Sequence, residues 1–551
     1  MRKSLLWCLA VLCMLLTPAR EGFAASQANC PGGAGCAHVA QTGNVHYDTL
    51  AEAFQASADH DEIILLKNTS VDAPIEVRTS VTLTLNGKTL ENRVANERLF
   101  HVYASSFTVN GRNAGSAMVI PADNAASYGF VKVCAPSTVT LDGGTYTGNT
   151  DDGAFVKIFE RPGISGSGST IILNNLQATT NYNFFNTDTL STPESTPTLR
   201  VEGGVYKTQG RAFTMDTIPR SPVSFHGVTV TAQSGPVIEA SGSAATFEDC
   251  DFQVTNTTSS TNFAATAVAV SYNSTAVIKG GTYASTGYGV YVYTSGGTIT
   301  VEDGVVQGGV AAARADAADN YGTPSTVEIH GGEISGVLVT KTNGNTKADI
   351  EVSGGIFDHD VTPNVVPSVA RDGAFATLTS GGTTKYYVGT PEKGASDLAR
   401  TAKENDVIKL QQGSVNLSGF SEHVKVENEG GTLTLDGEPV QQGSTATAHV
   451  FGTVWQYDGT NHWYACSTCD AKKDLAAHTS DAGTVTSAGE KTYRCTVCGA
   501  VLKTEVISAS TYVVPKTGDS SNVPLWLSLM ALAAAGMGAA PLLMKKEGWA
   551  R

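Results

Sequence analysis

Short alternating segments follow one another along most of the chain, and each is typical of a β-strand with one buried face. In residues 138–141 (Thr-Val-Thr-Leu) and 298–301 (Thr-Ile-Thr-Val), apolar and polar residues alternate with the period of two that a strand requires. A short phrase recurs between such segments: an apolar residue, a polar one, two glycines, any residue, and an aromatic or branched one. Its clearest copies begin at Leu141, Val201, Ile278, Ile329 and Val352.

The spacing of this phrase predicts the architecture. With weaker copies included, successive copies fall roughly 23 to 32 residues apart, which suits one coil of a parallel β-helix. One coil cannot bury its inner face alone, so coils must stack around a continuous core. Glycine fits the corners, where positive φ carries no steric penalty for it. We expect the final aromatic residue of the phrase to face the core in four copies: Tyr146, Tyr206, Tyr283 and Phe357.

The chain is therefore expected to be all-β, with a parallel β-helix over residues 76–385. These repeats resemble the right-handed β-helix class of bacterial surface proteins and pectate-lyase-like enzymes, which implies a right-handed solenoid. Residues 25–75 are the expected N-terminal cap region. Within them, apolar positions at helical spacing after Thr49 predict a short amphipathic capping helix over residues 49–58.

A similar order of elements returns late in the chain. Residues 395–403 predict a second helix, and strand-like segments follow at 406–410 and 432–440. Residues 386–445 are thus either a second short β-rich module or a cap on the C-terminal end of the β-helix.

Both termini carry export features. Arg2 and Lys3 precede an apolar stretch and a cleavage site with small residues that ends at Ala24. This order predicts a secretory signal peptide over residues 1–24. Near the other end, a pentapeptide precedes the apolar run 523–544 and a basic tail. About 22 residues at about 1.5 Å rise can cross a hydrocarbon core of about 30 Å, so we expect a transmembrane helix there. The pentapeptide is Val514, Pro515, Lys516, Thr517 and Gly518.

This C-terminal order resembles the LPXTG-type sorting signal of Gram-positive (Firmicutes) cell-wall proteins, with Val514 in place of the usual Leu. The resemblance implies that residues 511–551 are recognised by sortase, which cleaves between Thr517 and Gly518 and joins the Thr517 acyl group to peptidoglycan. The expected location is the cell surface, anchored to the wall, with a precursor that spans the membrane at its C-terminus.

Composition narrows the class of partner. The chain has 58 Gly, 19 Pro and only 16% charged residues, a profile of short strands and turns, and its net charge is −15. Nucleic acid binding requires clustered Lys and Arg. The sequence therefore argues against a nucleic acid partner.

Cysteine spacing predicts a small module over residues 446–510. Two Cys-x2-Cys pairs, Cys466 with Cys469 and Cys495 with Cys498, match a zinc ribbon in which four thiolates hold one structural Zn²⁺. The segment resembles modules that recur in surface proteins of anaerobic Firmicutes. Because the protein is expected to be exported, two disulfides are the competing interpretation. Cys30 and Cys36 near the mature N-terminus suggest a local disulfide or, with His38, a metal site.

The expected function is a rigid surface adhesin or glycan-binding stalk rather than an enzyme. Residues 288–293 place Tyr291 and Tyr293 on the face opposite two valines, where tyrosine rings can stack on sugars. The competing interpretation is that both tyrosines face inward and stack as an aromatic ladder. Glycans, a host surface or a neighbouring cell are the expected ligands. The alternatives are a polysaccharide lyase or glycoside hydrolase of the β-helix class, and a passive spacer.

Overall fold

A computed structural model describes residues 37–507, apart from 125, 151–152, 162–163, 188–195, 236–237, 256–264, 272, 293–295, 313–324, 341–347, 468 and 486–488. The chain divides into two compact units, one ending at Ala448 and one beginning at His449. The predicted signal peptide, Cys30, Cys36, Tyr293, the sortase pentapeptide and the apolar run 523–544 lie outside the described residues. Among the residues that are described, no helix is both long and apolar enough to cross a membrane.

The first unit is dominated by parallel strands that stack in three ladders, called here ladders A, B and C. Each turn of the chain adds one strand to each ladder. Four long strands bend and pair in two ladders in succession. Phe213–His226 and Ile238–Glu248 pair first in ladder C and then in ladder A. Thr275–Ala284 and Thr298–Gln307 pair first in ladder A and then in ladder B. This arrangement confirms the all-β class with large parallel sheets, and it is compatible with a solenoid.

Ladder A contains Asp61–Leu65, Val81–Thr84, Ser106–Asn110, Thr138–Asp142, Thr170–Asn174, Thr198–Glu202, the four long strands, Ser325–Ile329 and Ala348–Val352. Ladder B contains Thr69–Val71, Thr89–Asn92, Ala117–Val119, Thr145–Thr147, Gln177–Thr180, Val205–Thr208, Thr229–Ala232, Cys250–Val254, the ends of the last two long strands, Glu333–Ser335 and Gly355–Phe357. Ladder C contains Ile75–Val77, Arg98–Val102, Gly129–Val133, Ala154–Ile158, Asn183–Thr187, the beginnings of the first two long strands, Thr266–Ser271, Tyr288–Val292, Val310–Ala312 and Leu338–Thr340.

The recurring glycine phrase forms the corner between ladders A and B, as predicted. Gly143 and Gly144 have φ of 70° and 90°, and Gly281 has φ of 85°. At the same corner of weaker copies, Asn175 and Asp249 adopt φ of 51°, which these two residue types tolerate better than other non-glycine residues. The corner therefore requires a left-handed residue in each of these coils.

The core runs along the inside of the three ladders. Inward-facing apolar side chains of the ladders join one buried cluster that extends from Val39 to Val388. Tyr146, Tyr206, Tyr283 and Phe357 are all 0% exposed, so the predicted inward orientation of the phrase aromatics is confirmed. Phe184, Tyr206, Phe213 and Phe225 pack ring against ring at centroid distances of 5.0 to 5.7 Å.

Tyr206 buries a hydroxyl that has no hydrogen-bond partner among the described residues. A buried unsatisfied polar group is unfavourable by about 1–3 kcal/mol. We therefore expect Tyr206→Phe to raise the free energy of unfolding by about 1 kcal/mol in thermal or denaturant unfolding. Tyr387→Phe is the matched control, because the buried Tyr387 hydroxyl bonds Thr401 Oγ1 at 2.5 Å and its removal should destabilise. A loss of stability in both variants would contradict the assignment at Tyr206.

The N-terminal end of the stack is closed by the predicted helix, which extends from Leu50 to Ala56. Thr49 and Glu52 form a capping box at its start. Phe54 packs on Phe100 and Phe107 of the first coils at centroid distances of 5.5 and 6.1 Å. Ahead of the helix, Ala40–Thr42 pairs antiparallel with Val45–Tyr47 and with Asp61–Leu65. The first coil thus begins at Asp61, earlier than the predicted boundary at 76, because this short apolar strand already pairs with ladder A.

Residues after Phe357 close the other end. A 3-10 turn, Thr362–Asn364, and a helix, Pro367–Asp372, lead into the antiparallel strands Ala374–Ser380 and Thr383–Gly389, and the latter pairs with Gly355–Phe357. The predicted second helix extends from Pro391 to Thr401. Val407–Gln412 and Ser414–Leu417 then pair in parallel with Lys425–Asn428 and Thr432–Leu435, and Glu438–Val440 and Thr445–Thr447 complete these sheets. This segment caps the stack while also having a hydrophobic cluster of its own.

The second unit contains two small antiparallel sheets. The first consists of Phe451–Tyr457, Asn461–Cys466 and Lys472–Ala477, and the second of Thr484–Val485, Glu490–Arg494 and Val501–Val506. Elsewhere in the chain, Glu160–Arg161 and Ile164–Ser165 form a separate short hairpin.

Candidate metal centres and surface clusters

The second unit brings four metal-ligating side chains together in one group, the His2Cys2 group: His462, His478, Cys495 and Cys498. His462 lies on the middle strand of the first sheet, and His478 directly follows that sheet's last strand. The two cysteines lie in the turn between Glu490–Arg494 and Val501–Val506. Cys495 Sγ is 3.7 Å from His462 Nδ1, and Cys498 Sγ is 3.6 Å from His478 Nδ1.

His449, Cys466 and Cys469 form a second group, the HisCys2 group. Cys469 Sγ lies 3.1 Å from His449 Nδ1. Cys466 is buried at the end of its strand, whereas Cys469 is exposed in the following turn. Ligand atoms within each group lie within 4.8 Å of one another, so each group could hold a metal ion.

The structure does not bring the four predicted cysteines together in one group; it divides them between the His2Cys2 and HisCys2 groups. Each Cys-x2-Cys pair lies at or just after a strand end within its own sheet and faces histidines instead of the other pair. All four predicted cysteines remain candidate ligands, but three histidines missed in the sequence join them. No disulfide links the cysteines among the described residues.

The two groups have equivalent backbone surroundings. His449, Cys466 and Cys469 each have a counterpart 29 residues later in His478, Cys495 and Cys498. The hydrogen bond from the Ser467 N–H to Val450 O, at 2.9 Å, has its counterpart from Thr496 to Thr479 at 2.9 Å. Likewise, the Cys466 N–H donates to Ala471 O at 3.0 Å, and the Cys495 N–H donates to Ala500 O at 2.8 Å. The unit is thus a tandem repeat of His-x16-Cys-x2-Cys, a signal that was present in the sequence.

Local donors favour the thiolate form of Cys495. Burial raises the pKa of this thiol, but the backbone N–H groups of Cys498 and Val497 and the His478 ring outweigh that effect and lower the pKa to about 5. A hydrogen bond to the Asp458 carbonyl raises the pKa of His478. Metal ligands must be deprotonated, so a preformed thiolate suits metal binding.

The second unit has almost no apolar core. None of the hydrophobic clusters formed by described residues extends beyond Ala448. The described side chains that are buried in this unit are His462, Cys466, Cys495 and Ala500. Three of these four are candidate metal ligands, so the interior of the unit is largely made of them.

Tyr291 does not offer the exposed ring that stacking on a sugar requires. It points away from Val290 and Val292, which are 0% exposed in the core, but its own side chain is only 7% exposed. Its ring lies 5.3 Å from that of Tyr288, and these two tyrosines form a small cluster with Ala311. The neighbouring rungs of ladder C carry Ala269 and Ala311, whose small side chains leave room for the tyrosine to pack down.

A cluster of positive charge on ladder C was also missed. His101, Lys132 and Lys157 occupy successive outward positions on three rungs. The cationic groups of Arg98, Lys132, Lys157 and Arg161 lie 4.7 to 5.4 Å from the centroid of the Phe159 ring. Lys132 Nζ also contacts Glu97 Oε2 at 2.8 Å. Aligning the segments Phe-His-Val, Val-Lys-Val and Val-Lys-Ile at 100, 131 and 156 would have placed these residues in one column.

Comparisons with known proteins assign neither a family nor a function to this chain. No protein-family model matches the chain, and neither the curated proteins nor the solved structures contain a match.

Proposed function

We propose that this chain is a secreted, cell-wall-anchored surface protein whose ladders form a right-handed parallel β-helix that acts as a rigid stalk. The main observation in support of a rigid stalk is the single buried core, which is shared by the stacked coils and closed at both ends. Twelve stacked strands of ladder A at about 4.8 Å spacing span about 50 Å. The signal peptide and the sortase pentapeptide support export and attachment of this stalk.

Thr517→Ala should abolish covalent attachment to the wall. In a Gram-positive host with an active sortase, the unmodified chain should resist extraction from isolated walls by hot detergent and be released by a muramidase. The variant should be extracted by detergent, because sortase should no longer recognise the pentapeptide and therefore should not cleave it. Thr511→Ala, six residues upstream, is the control and should remain attached. Equal retention of both variants would refute sortase anchoring at this motif.

The metal proposed for the second unit is structural Zn²⁺. Two thiolates with one or two imidazoles per group suit zinc better than Mg²⁺ or Ca²⁺, which prefer oxygen ligands. Disulfides would use the cysteines but would leave the three adjacent histidines without a role. The near absence of an apolar core favours metal as the source of stability for this unit.

An adhesin role is supported by two cations of the cluster around Phe159, the half-buried Lys157 and the exposed Arg161, in a chain with a net charge of −15. Arg98 is buried and Lys132 is paired with Glu97, so these two add little charge at the surface. The charge of Lys157 and Arg161 suits glycans that carry carboxylate or sulfate groups. Asp151 and Asp152, which also belong to this part of the sequence, lie outside the described residues.

The double variant Lys157→Glu/Arg161→Glu should weaken retention on sialylated or sulfated glycans by about tenfold, since charge reversal opposes an anionic ligand. The measurement is retention of the full chain on arrayed acidic and neutral glycans, at low and at high salt. Lys207→Glu, an exposed lysine on ladder B, is the control and should bind normally. Release of sugar products would instead favour the β-helix enzyme, and no retention at all would favour a spacer.

A further inference from the structure

We propose that the second unit binds two zinc ions with different coordination. The His2Cys2 group forms a closed site, and the HisCys2 group forms an open site that takes an exogenous imidazole or thiolate as its fourth ligand. This inference rests on the zinc assignment made above, and it adds the number of ions, the ligand sets and the exchangeable position.

The asymmetry comes from the origin of the fourth ligand. His478, Cys495 and Cys498 belong to the second repeat, whereas His462 belongs to the first repeat and reaches Cys495 at 3.7 Å. A bound metal would therefore link the two sheets of the unit through His462. His462 is 3% exposed, and Trp455 contacts its ring edge-on at 4.8 Å, so its position is fixed by packing.

Within the part of the chain that the structure describes, the HisCys2 group has no fourth ligand of this kind. One repeat length before His462 the chain has Leu433, an apolar residue buried in the core of the first unit. One repeat length after His462 it has Lys491, which is cationic and does not join either group. Among the described residues, only His449, Cys466 and Cys469 make up this group.

Coordination chemistry gives the two sites different properties. Zinc bound by four protein ligands in a tetrahedron has no vacant position, and such sites are structural. Zinc with three protein ligands retains a position for water or another donor. Because Cys469 is exposed, a donor from solvent can reach this position. A borderline-soft metal already bound by two thiolates favours nitrogen or sulfur donors.

Cobalt(II) titration of the reduced, metal-free full-length chain in detergent tests the proposal. Two equivalents should bind, each with thiolate-to-cobalt absorption. Addition of imidazole should change the spectrum of one equivalent only. His449→Ala should remove that imidazole-sensitive equivalent, while Cys498→Ser should remove the insensitive one. Zinc content measured on the same variants provides a second readout.

His462→Ala and Lys491→Ala form a matched pair at equivalent positions of the two repeats. The former should weaken the imidazole-insensitive site or make it respond to imidazole, and the latter should leave both sites unchanged. Binding of one equivalent that is lost in every single cysteine variant would overturn the proposal in favour of one four-cysteine site. Two equivalents that both ignore imidazole would overturn the open position alone. Failure to bind any metal would refute the zinc assignment itself.

Discussion

Replacing Gly281 by alanine should lower the free energy of unfolding of the β-stack by about 4 kcal/mol. Two effects add at this corner. Gly281 has φ of 85°, where a side chain is strained by about 1–2 kcal/mol. An added Cβ would also lie 1.9 Å from the carbonyl oxygen of Cys250 on the adjacent rung, and relief of that overlap requires backbone shifts of the kind that make overpacking unfavourable by about 1–3 kcal/mol. Denaturant unfolding of the purified chain measures the loss.

Gly227→Ala separates the two effects. Gly227 occupies the same kind of corner with φ of 61°, but no heavy atom lies within 4 Å of an added Cβ. We expect a loss of about 1 kcal/mol there, from backbone strain alone. If the two variants were equally stable, the close approach of the rungs at Gly281 would not be the reason for glycine at that position.

Removal of metal should unfold the second unit and leave the β-stack intact. Apparent binding energies of structural zinc in small domains are about 10–16 kcal/mol. The unit has few other buried groups that could compensate for the loss of the metal. In hydrogen exchange under reducing conditions with a strong zinc chelator, amides of Asn461–Cys466 and Glu490–Arg494 should lose protection. Stoichiometric Zn²⁺ should restore it.

The ladders provide an internal control in the same sample. Amides of Thr138–Asp142 and Thr198–Glu202 should keep their protection, because the core around them has no metal ligand from either group. If chelation left the second unit protected and only a reductant exposed it, disulfides would be the correct interpretation.

The grouping of the metal ligands could not be read from the Cys-x2-Cys spacing. That spacing identified four ligands, but it does not specify which pairs approach each other. Each pair is held by a turn within its own sheet, so the nearest additional donors are histidines from flanking strands. The repeat of His-x16-Cys-x2-Cys was visible in the sequence and would have indicated two sites. His462 belongs to the first repeat but joins the His2Cys2 group with ligands of the second repeat, and this depends on how the two sheets pack against each other.

The solvent exposure of individual side chains was the other property that the local sequence pattern did not predict. Alternation placed Tyr291 on the face opposite Val290 and Val292, and the structure agrees. Its burial depends on Tyr288 and on the small residues Ala269 and Ala311 of adjacent rungs. In the same way, His101, Lys132 and Lys157 are about 25 to 31 residues apart in sequence and form a column only when coils stack in register.

The sequence by itself determined the strand alternation, the glycine corners, the inward aromatics Tyr146, Tyr206, Tyr283 and Phe357, and the N-terminal capping helix. These features depend on side-chain period and on backbone φ, which are local properties. Tertiary structure alone decided which residues of different coils or sheets become neighbours: His462 with Cys495, Tyr291 with Ala311, and four cations with Phe159. Such contacts depend on register and packing between segments distant in sequence, and no local pattern encodes them.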